Sequence, residues 1–302
     1  MAVTLATLTY RVARELGIVS EGTATGGSET TIEDSTLRTE ADDYWNSGSA
    51  WILRDEAGDS DAPEGEYARV TNFENTGGVL TTSAFTVSAA EGDKYAVAKK
   101  TYPLETLARC VNQALQDLGT IPITDTDTID TAANQTEYTM PIAANLDLRQ
   151  VWYQTNDDAD DNRWMLLYNW EVQREDTGTA DELIFPYQLP SGHDVKLVYG
   201  AAHPELHLYS SILNEGVPVT MVVYSAVARC LTWFRQKHNT NNRRIVDDIE
   251  RYLERAEREL LKWPRRLPPR TGKITLISRV SKVDTSDVPL TVSLTDDSVE
   301  WG

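Results

Sequence analysis

One stretch of this 302-residue chain constrains its fold more than any other: Val217 to Gln236 reads as a helix that is apolar almost all the way round. Met221, Val222, Ala226, Val227, Cys230, Leu231 and Phe234 leave no polar stripe wide enough to face water along its length. Such a helix has to be covered, by the rest of its own subunit or by other subunits. Pro218 stands near its start, where a missing N–H would lack an intrahelical partner anyway. The rest of the chain or a neighbouring subunit must therefore supply a wall for it.

Three more helical patterns can contribute. Thr4 to Gly17 carries Leu5, Leu8, Val12 and Leu16 on one face, with Thr4 as cap and Gly17 as stop. Tyr102 to Gly119 repeats Leu104, Leu107, Ala108, Val111, Leu115 and Leu118 at helical spacing, with Pro103 in the first turn. Asn241 to Trp263 is amphipathic, with Ile245, Ile249, Tyr252, Leu253, Ala256 and Leu260 on one face, and Pro264, Pro268 and Pro269 stop it.

Between these helices the texture changes to alternating, turn-punctuated segments. Strands are predicted near Thr30–Glu33, Ala50–Arg54, Glu66–Phe73, Val79–Val87 and Lys94–Ala98. A second set is predicted at Glu137–Met140, Leu148–Gln154, Met165–Tyr168, Glu182–Pro186 and Val195–Tyr199, with Asp157–Asn162 and Leu189–Gly192 as loops. His207 to Asn214 reads as a short turn or helix. The expected class is α+β: a helical core near 4–17, 102–119, 217–237 and 241–263, two antiparallel β modules, and an extended C-terminal tail. In segments, 1–20 is the first core helix, 21–100 an inserted all-β module, 101–120 a core helix, 121–200 a second β domain, 201–263 the C-terminal helices and 264–302 an extended docking tail, in which Lys273–Val283 alternates in a β-like way.

Residues that carry chemistry are sparse. No phosphate-binding loop, nucleophile elbow or zinc-protease helix motif occurs, and Cys110 and Cys230 both fall on apolar helix patterns as structural thiols. His203 and His207 stand four apart, but Pro204 disfavours a helix there, so capping or surface roles are favoured over a metal. The acids Asp157, Asp158, Asp160 and Asp161 lack the alternation of a calcium loop and read as a solvated hairpin tip. Asp125–Asp127 reads as a loop. Neither a membrane span nor a signal-peptide pattern is present. The expectation is no enzyme, no cofactor and no metal. Asp42-Asp-Tyr-Trp-Asn46 is the one patch suited to stacking on sugar rings, with Tyr44, Trp45 and Trp51 as candidate glycan or partner contacts; an aromatic anchor for the β module is the favoured alternative.

Charge is distributed unevenly. The chain carries a formal net charge of −19, yet Arg235 to Lys273 holds twelve Lys/Arg against six Asp/Glu, leaving about −25 elsewhere. On a helix, Asp248–Arg251, Glu254–Arg258 and Arg255–Glu259 are neighbours, so part of that positive charge is neutralised locally and no single-sign stripe suited to phosphates remains. The unmatched cations gather at Arg243–Arg244 and at Lys262, Arg265, Arg266 and Arg270, the second group around Trp263. These seven residues are the candidate docking surface for an acidic protein partner.

The run Tyr102 to Gly119 leading into Ile121-Pro-Ile resembles the early helix of head-to-tail connector proteins of tailed bacteriophages, also called adaptor, gatekeeper or tail tubular proteins. Asn134 to Pro141 resembles a strand-opening phrase of phage structural β-domains. Asp42–Asn46, Glu66–Phe73 and Glu91–Val97 are similar to a small β module that decorates virion proteins. The resemblance implies a homo-oligomeric ring of about twelve copies. It further implies a portal protein as one partner, a tail or second connector protein as another, and genomic DNA passing through the lumen without sequence-specific binding. It implies no membrane partner, and a site of action in the virion neck, assembled in the host bacterial cytoplasm. The strong acidity outside the island is consistent with a lumen that does not grip phosphates. The other readings are a tail or receptor-binding protein whose β module takes a glycan and, last, a hydrolase.

Overall fold

The computed structural model describes residues 2–56, 63–141, 147–156, 163–175, 181–240, 242–263 and 267–277. Their order is α1 (Leu5–Glu15), β1 (Val19–Thr23), β2 (Gly26–Ser28), β3 (Thr31–Glu33), β4 (Ser49–Arg54), β5 (Tyr67–Glu74), β6 (Val79–Thr82), β7 (Lys94–Ala98), α2 (Leu104–Gln116), β8 (Thr120–Asp130), β9 (Glu137–Thr139), β10 (Leu148–Gln154), β11 (Trp164–Leu167), β12 (Glu171–Glu175), β13 (Glu182–Ile184), β14 (Asp194–Ala202), α3 (Val219–Lys237), α4 (Arg243–Lys262) and β15 (Lys273–Ile277). The class is α+β. The chain divides into two compact units: one holds Met1–Ile123 and Tyr199–Pro268, the other Thr124–Val198 and the described chain from Pro269.

In the first unit the four helices form where the periodicity predicts them. The Thr4 hydroxyl accepts the Thr7 N–H at 3.3 Å to cap α1, which buries Leu5, Leu8 and Val12. Leu107, Cys110, Val111, Ala114 and Leu115 form the inner face of α2, and Gly119, at φ +67°, turns the chain out of it. These faces meet Met221, Val222, Val223, Ala226, Val227 and Cys230 of α3 in one core. Burying apolar side chains contributes roughly 1.5–3 kcal/mol each, so this shared core dominates the stability of the unit.

The β segment of 21–100 folds into a seven-stranded sheet, ordered β1-β7-β4-β5-β6-β3-β2, with every pairing antiparallel. The two-residue period of a strand divides its central strands between two cores. Trp51, Ala96 and Ala98 face the helices, while Ala50, Ile52, Tyr95 and Val97 face a second core with Trp45, Phe73 and Leu80. Thus β4 and β7 are covered on both faces, and the module shares a core with the helices.

In the second β region two four-stranded sheets occur, ordered β11-β10-β14-β8 and β15-β12-β13-β9. The latter is mixed: β12–β13 and β13–β9 are antiparallel, but β15 runs parallel to β12, from Glu171↔Lys273 to Glu175↔Ile277. The strand agrees with the β-like alternation read from Lys273, but the expectation of an extended docking tail from 264 onward changes, because the chain at 269–277 is sewn into this unit. The Thr271 N–H donates to the Arg149 carbonyl at 2.9 Å, and the Trp170 indole N–H donates to the Thr271 hydroxyl at 2.9 Å. Gly272 lies so close to the fully buried Trp170 that a Cβ would overlap the indole ring. Residues 278–302 lie outside the described residues.

One further expectation changes, and the turn-or-helix choice at 207–214 resolves to a turn. Asp125–Asp127 is inside β8, not a loop: the Asp125 carboxylate accepts from the Thr128 hydroxyl and from the N–H groups of Asp127 and Thr128, a local pattern that imitates a turn. The segment 207–214 is a turn held by Leu5 N–H to Ser211 carbonyl and Leu213 N–H to Val3 carbonyl bonds, without a helix. The acidic cluster 157–161 lies outside the described residues.

Candidate functional site

The candidate docking residues start at the N-terminus of α4. Asn242 caps the helix, its side-chain oxygen accepting the Arg244 N–H at 3.0 Å. Arg243 and Arg244 follow directly and are exposed. Cations there oppose the helix dipole, at a cost of about 0.3–1 kcal/mol each, so helix stability does not account for them. Neither forms an ion pair among the described residues.

Along α4 the charges pair only in part. Arg251 meets Asp248 at 2.8 Å, Arg258 meets Glu254 at 3.3 Å, and Lys262 meets Glu259 at 2.6 Å. The pairing of Lys262 corrects its place among the unmatched cations: Arg255, expected beside Glu259, stands over the rings of Tyr224 and Tyr252 instead, and frees that carboxylate. Exposed pairs of this kind contribute a few tenths of a kcal/mol.

The helix is anchored through one face, where Ile245, Ile249 and Leu260 are half-buried beside Tyr252 and Ala256. Only Tyr252 and Ala256 are buried, with the Tyr252 hydroxyl donating to Glu15 at 3.3 Å. Burial, then the Glu15 carboxylate, raises the Tyr252 pKa above its usual value. Leu253 is 46% exposed and Leu261 87% exposed. Trp263 closes α4 and packs partly buried against the helical core, so its ring is not a free anchor.

The remaining docking candidates separate. Arg265 and Arg266 lie outside the described residues. Arg270 belongs to the second unit, where Nη2 meets Asp147 at 2.8 Å and Nε donates to the Leu148 carbonyl at 3.1 Å. Asp147 also holds Arg149 at 2.8 Å. Arg270 therefore fastens the 269–277 segment to β10, and it leaves the set of docking cations.

The candidate glycan patch is corrected as well. Trp45 is 3% exposed and Trp51 1% exposed, both inside the cores described above. The Trp51 indole N–H donates to Thr9 on α1 at 3.1 Å. Tyr44 is half-buried, edge-on to Trp45, with the Lys99 ammonium 3.8 Å from its ring centroid. Around them the acids make turn contacts: Asp42 accepts the Asn75 N–H at 2.7 Å and Asp43 accepts from the Asn46 side chain at 2.6 Å. The motif is an anchor for the sheet.

Two polar arrangements escaped the sequence. His203 is buried, its Nδ1 2.7 Å from the Pro204 carbonyl while Nε2 accepts the Asn214 N–H at 3.1 Å. Burial lowers its pKa. On the second sheet, Lys196 of β14 lies between Trp152 of β10 and Trp164 of β11, at 5.0 and 4.5 Å from their rings. Nothing in the spacing of these residues could reveal either, since each joins distant segments. Cys110 and Cys230 are free, buried thiols on α2 and α3, and their mutual hydrogen bond together with burial raises the Cys230 pKa. Among the described residues no cluster of three metal-ligating side chains occurs and no helix is long and apolar enough to cross a membrane. Compared with models of protein families the chain matches none, and no characterised protein matches it by sequence.

Proposed function

We propose that this chain is a structural protein of the neck of a tailed bacteriophage, forming an oligomeric ring adaptor between portal and tail. One observation carries the reading: α4 packs one face against its own subunit and leaves Leu253, Leu261, Arg243 and Arg244 exposed on its other faces. A helix arranged in this way is suited to a neighbouring protein. The order of helices and β regions, similar to head-to-tail connectors, supports the same reading. Genomic DNA passes through the ring without sequence-specific contacts, consistent with a chain whose charge outside the basic island is strongly negative. The protein acts by assembly, without catalysis or cofactor.

Negative-stain imaging and mass photometry of the purified protein, alone and mixed with a portal ring, test this. The expected result is a closed ring with a central channel. A chain that remains monomeric in both samples would contradict the proposal.

A further inference from the structure

Two surfaces flank α4, and they differ in charge. On one side Val246, Glu250, Leu253 and Glu257 fall at i, i+4, i+7 and i+11, which aligns them as a ridge along the helix. Both glutamates are exposed and neither is in an ion pair among the described residues. Leu253 is the apolar point between them.

On the opposite side two adjoining grooves meet at the half-buried Tyr224 of α3. One, with a volume of about 590 Å³, is lined by Arg11, Arg14 and Glu15 of α1 with Thr220 and Val223. The other, about 460 Å³, is lined by Arg255, Arg258, Glu259, Leu261 and Lys262 of α4. Arg14 reaches Glu21 only at 3.6 Å, Glu15 takes the Tyr252 hydroxyl, and Glu254 and Glu259 take Arg258 and Lys262. Arg11 and Arg255 are left without a carboxylate among the described residues. The groove thus offers two guanidinium groups without a carboxylate, that of Arg255 resting over Tyr224 and Tyr252, beside the most exposed leucine of the helix.

We infer that the acidic ridge of one copy docks into the Arg11–Arg255 groove of the next. The occupant is a second copy of this chain because the two surfaces complement each other in charge and in apolar content, with Leu253 brought to Tyr224 and Leu261. Since they lie on opposite flanks of one helix, the contact is head-to-tail, and repeated rotation either closes a ring or grows a filament. This rests on the ring reading above and names the surfaces that would build it.

The test uses charge reversal and complementation of the full chain at low ionic strength, where such contacts are least screened. Glu250→Arg with Glu257→Arg makes both surfaces basic, and Arg11→Glu with Arg255→Glu makes both acidic. Circular dichroism checks that each variant is folded. By mass photometry each variant alone should lose the assembled species, and an equimolar mixture should recover it, because each ridge then meets a groove of opposite sign. If folded variants assemble alone as the unaltered chain does, or if their mixture does not assemble, the inference falls while a ring seen with the unaltered chain still supports the neck reading. If the unaltered chain makes only charge-sensitive open chains, the inference stands and the closed ring fails. An unaltered chain that stays monomeric at the highest concentration reached overturns the inference.

Discussion

Helices α3 and α4 are neighbours of similar length, and they divide the work of an assembling subunit between them. Through Cys230, α3 is buried on most of its surface and joins α1, α2 and the Trp51 side of the sheet in one core. By contrast α4 lies on that core through one face, Tyr252, Ala256 and Leu260, and turns its charges and two leucines, Leu253 and Leu261, outward. The difference shows how one chain separates what holds the subunit together from what is available to a neighbour. Substitutions in α3 should act on folding, and those in α4 on association.

The largest expected effect is in α3. Met221→Ala removes a side chain that is 4% exposed and should destabilise the subunit by about 2–5 kcal/mol in chemical denaturation. The matching change Leu261→Ala should stay within about 0.5 kcal/mol, since that side chain touches little in its own subunit. Equal losses at the two sites would break the distinction.

Next comes the end of the basic island that faces inward. Arg270→Ala removes an ion pair and a carbonyl contact at a partly exposed site, and should cost about 1–2 kcal/mol. The loss should appear as faster amide exchange in 271–277. Unchanged exchange there would mean that Arg270 is not the fastener described above.

A pH effect should act at the turn that starts α3. His203 holds Asn214, whose carbonyl accepts the Val217 N–H at 2.9 Å just before the helix. Burial disfavours its protonated form, so the unfolded chain takes up more protons as pH falls through the ordinary histidine value of 6.5. Its contribution is present above that pH and lost progressively below it. Denaturation at pH 7.5 and 5.5 checks this. The part of the pH difference due to His203 should disappear in His203→Gln, and a difference of the same size in that variant would assign it elsewhere.

The smallest effect has the opposite sign. Arg243→Glu with Arg244→Glu places acids at the N-terminus of α4, where the dipole favours them, and should stabilise the subunit by about 0.3–1 kcal/mol per residue. The same change should weaken docking on an acidic partner. Lower stability together with unchanged partner binding would remove these arginines from the docking surface.

How much of this could be read from sequence follows from how far each feature reaches along the chain. The four helices rest on side chains three and four apart, and their faces were legible except at Leu253 of α4, which was read with the inner face and is 46% exposed; β7 and β10 were legible at their observed bounds. The strands β8 and β12 were not: β8 buries only Ile121 and Ile129, and in β12 Val172 is the one apolar residue. For Trp45 and Trp51 the anchor reading was the favoured one, yet a contact role stayed open because a tryptophan in a polar, aspartate-rich stretch gives no sign of the core that receives it. Arg270 looked free because its partner, Asp147, is far away in the sequence. The pairing of Lys262, in turn, depended on Arg255 choosing two aromatic rings over a carboxylate.

Hydroxyl-radical footprinting of the dilute and assembled protein tests the division between α3 and α4 most directly. Labelling at Leu253 and Leu261 should fall on assembly, while Met221 should remain unlabelled in both states. Undiminished labelling of both leucines in the assembled protein would contradict the account.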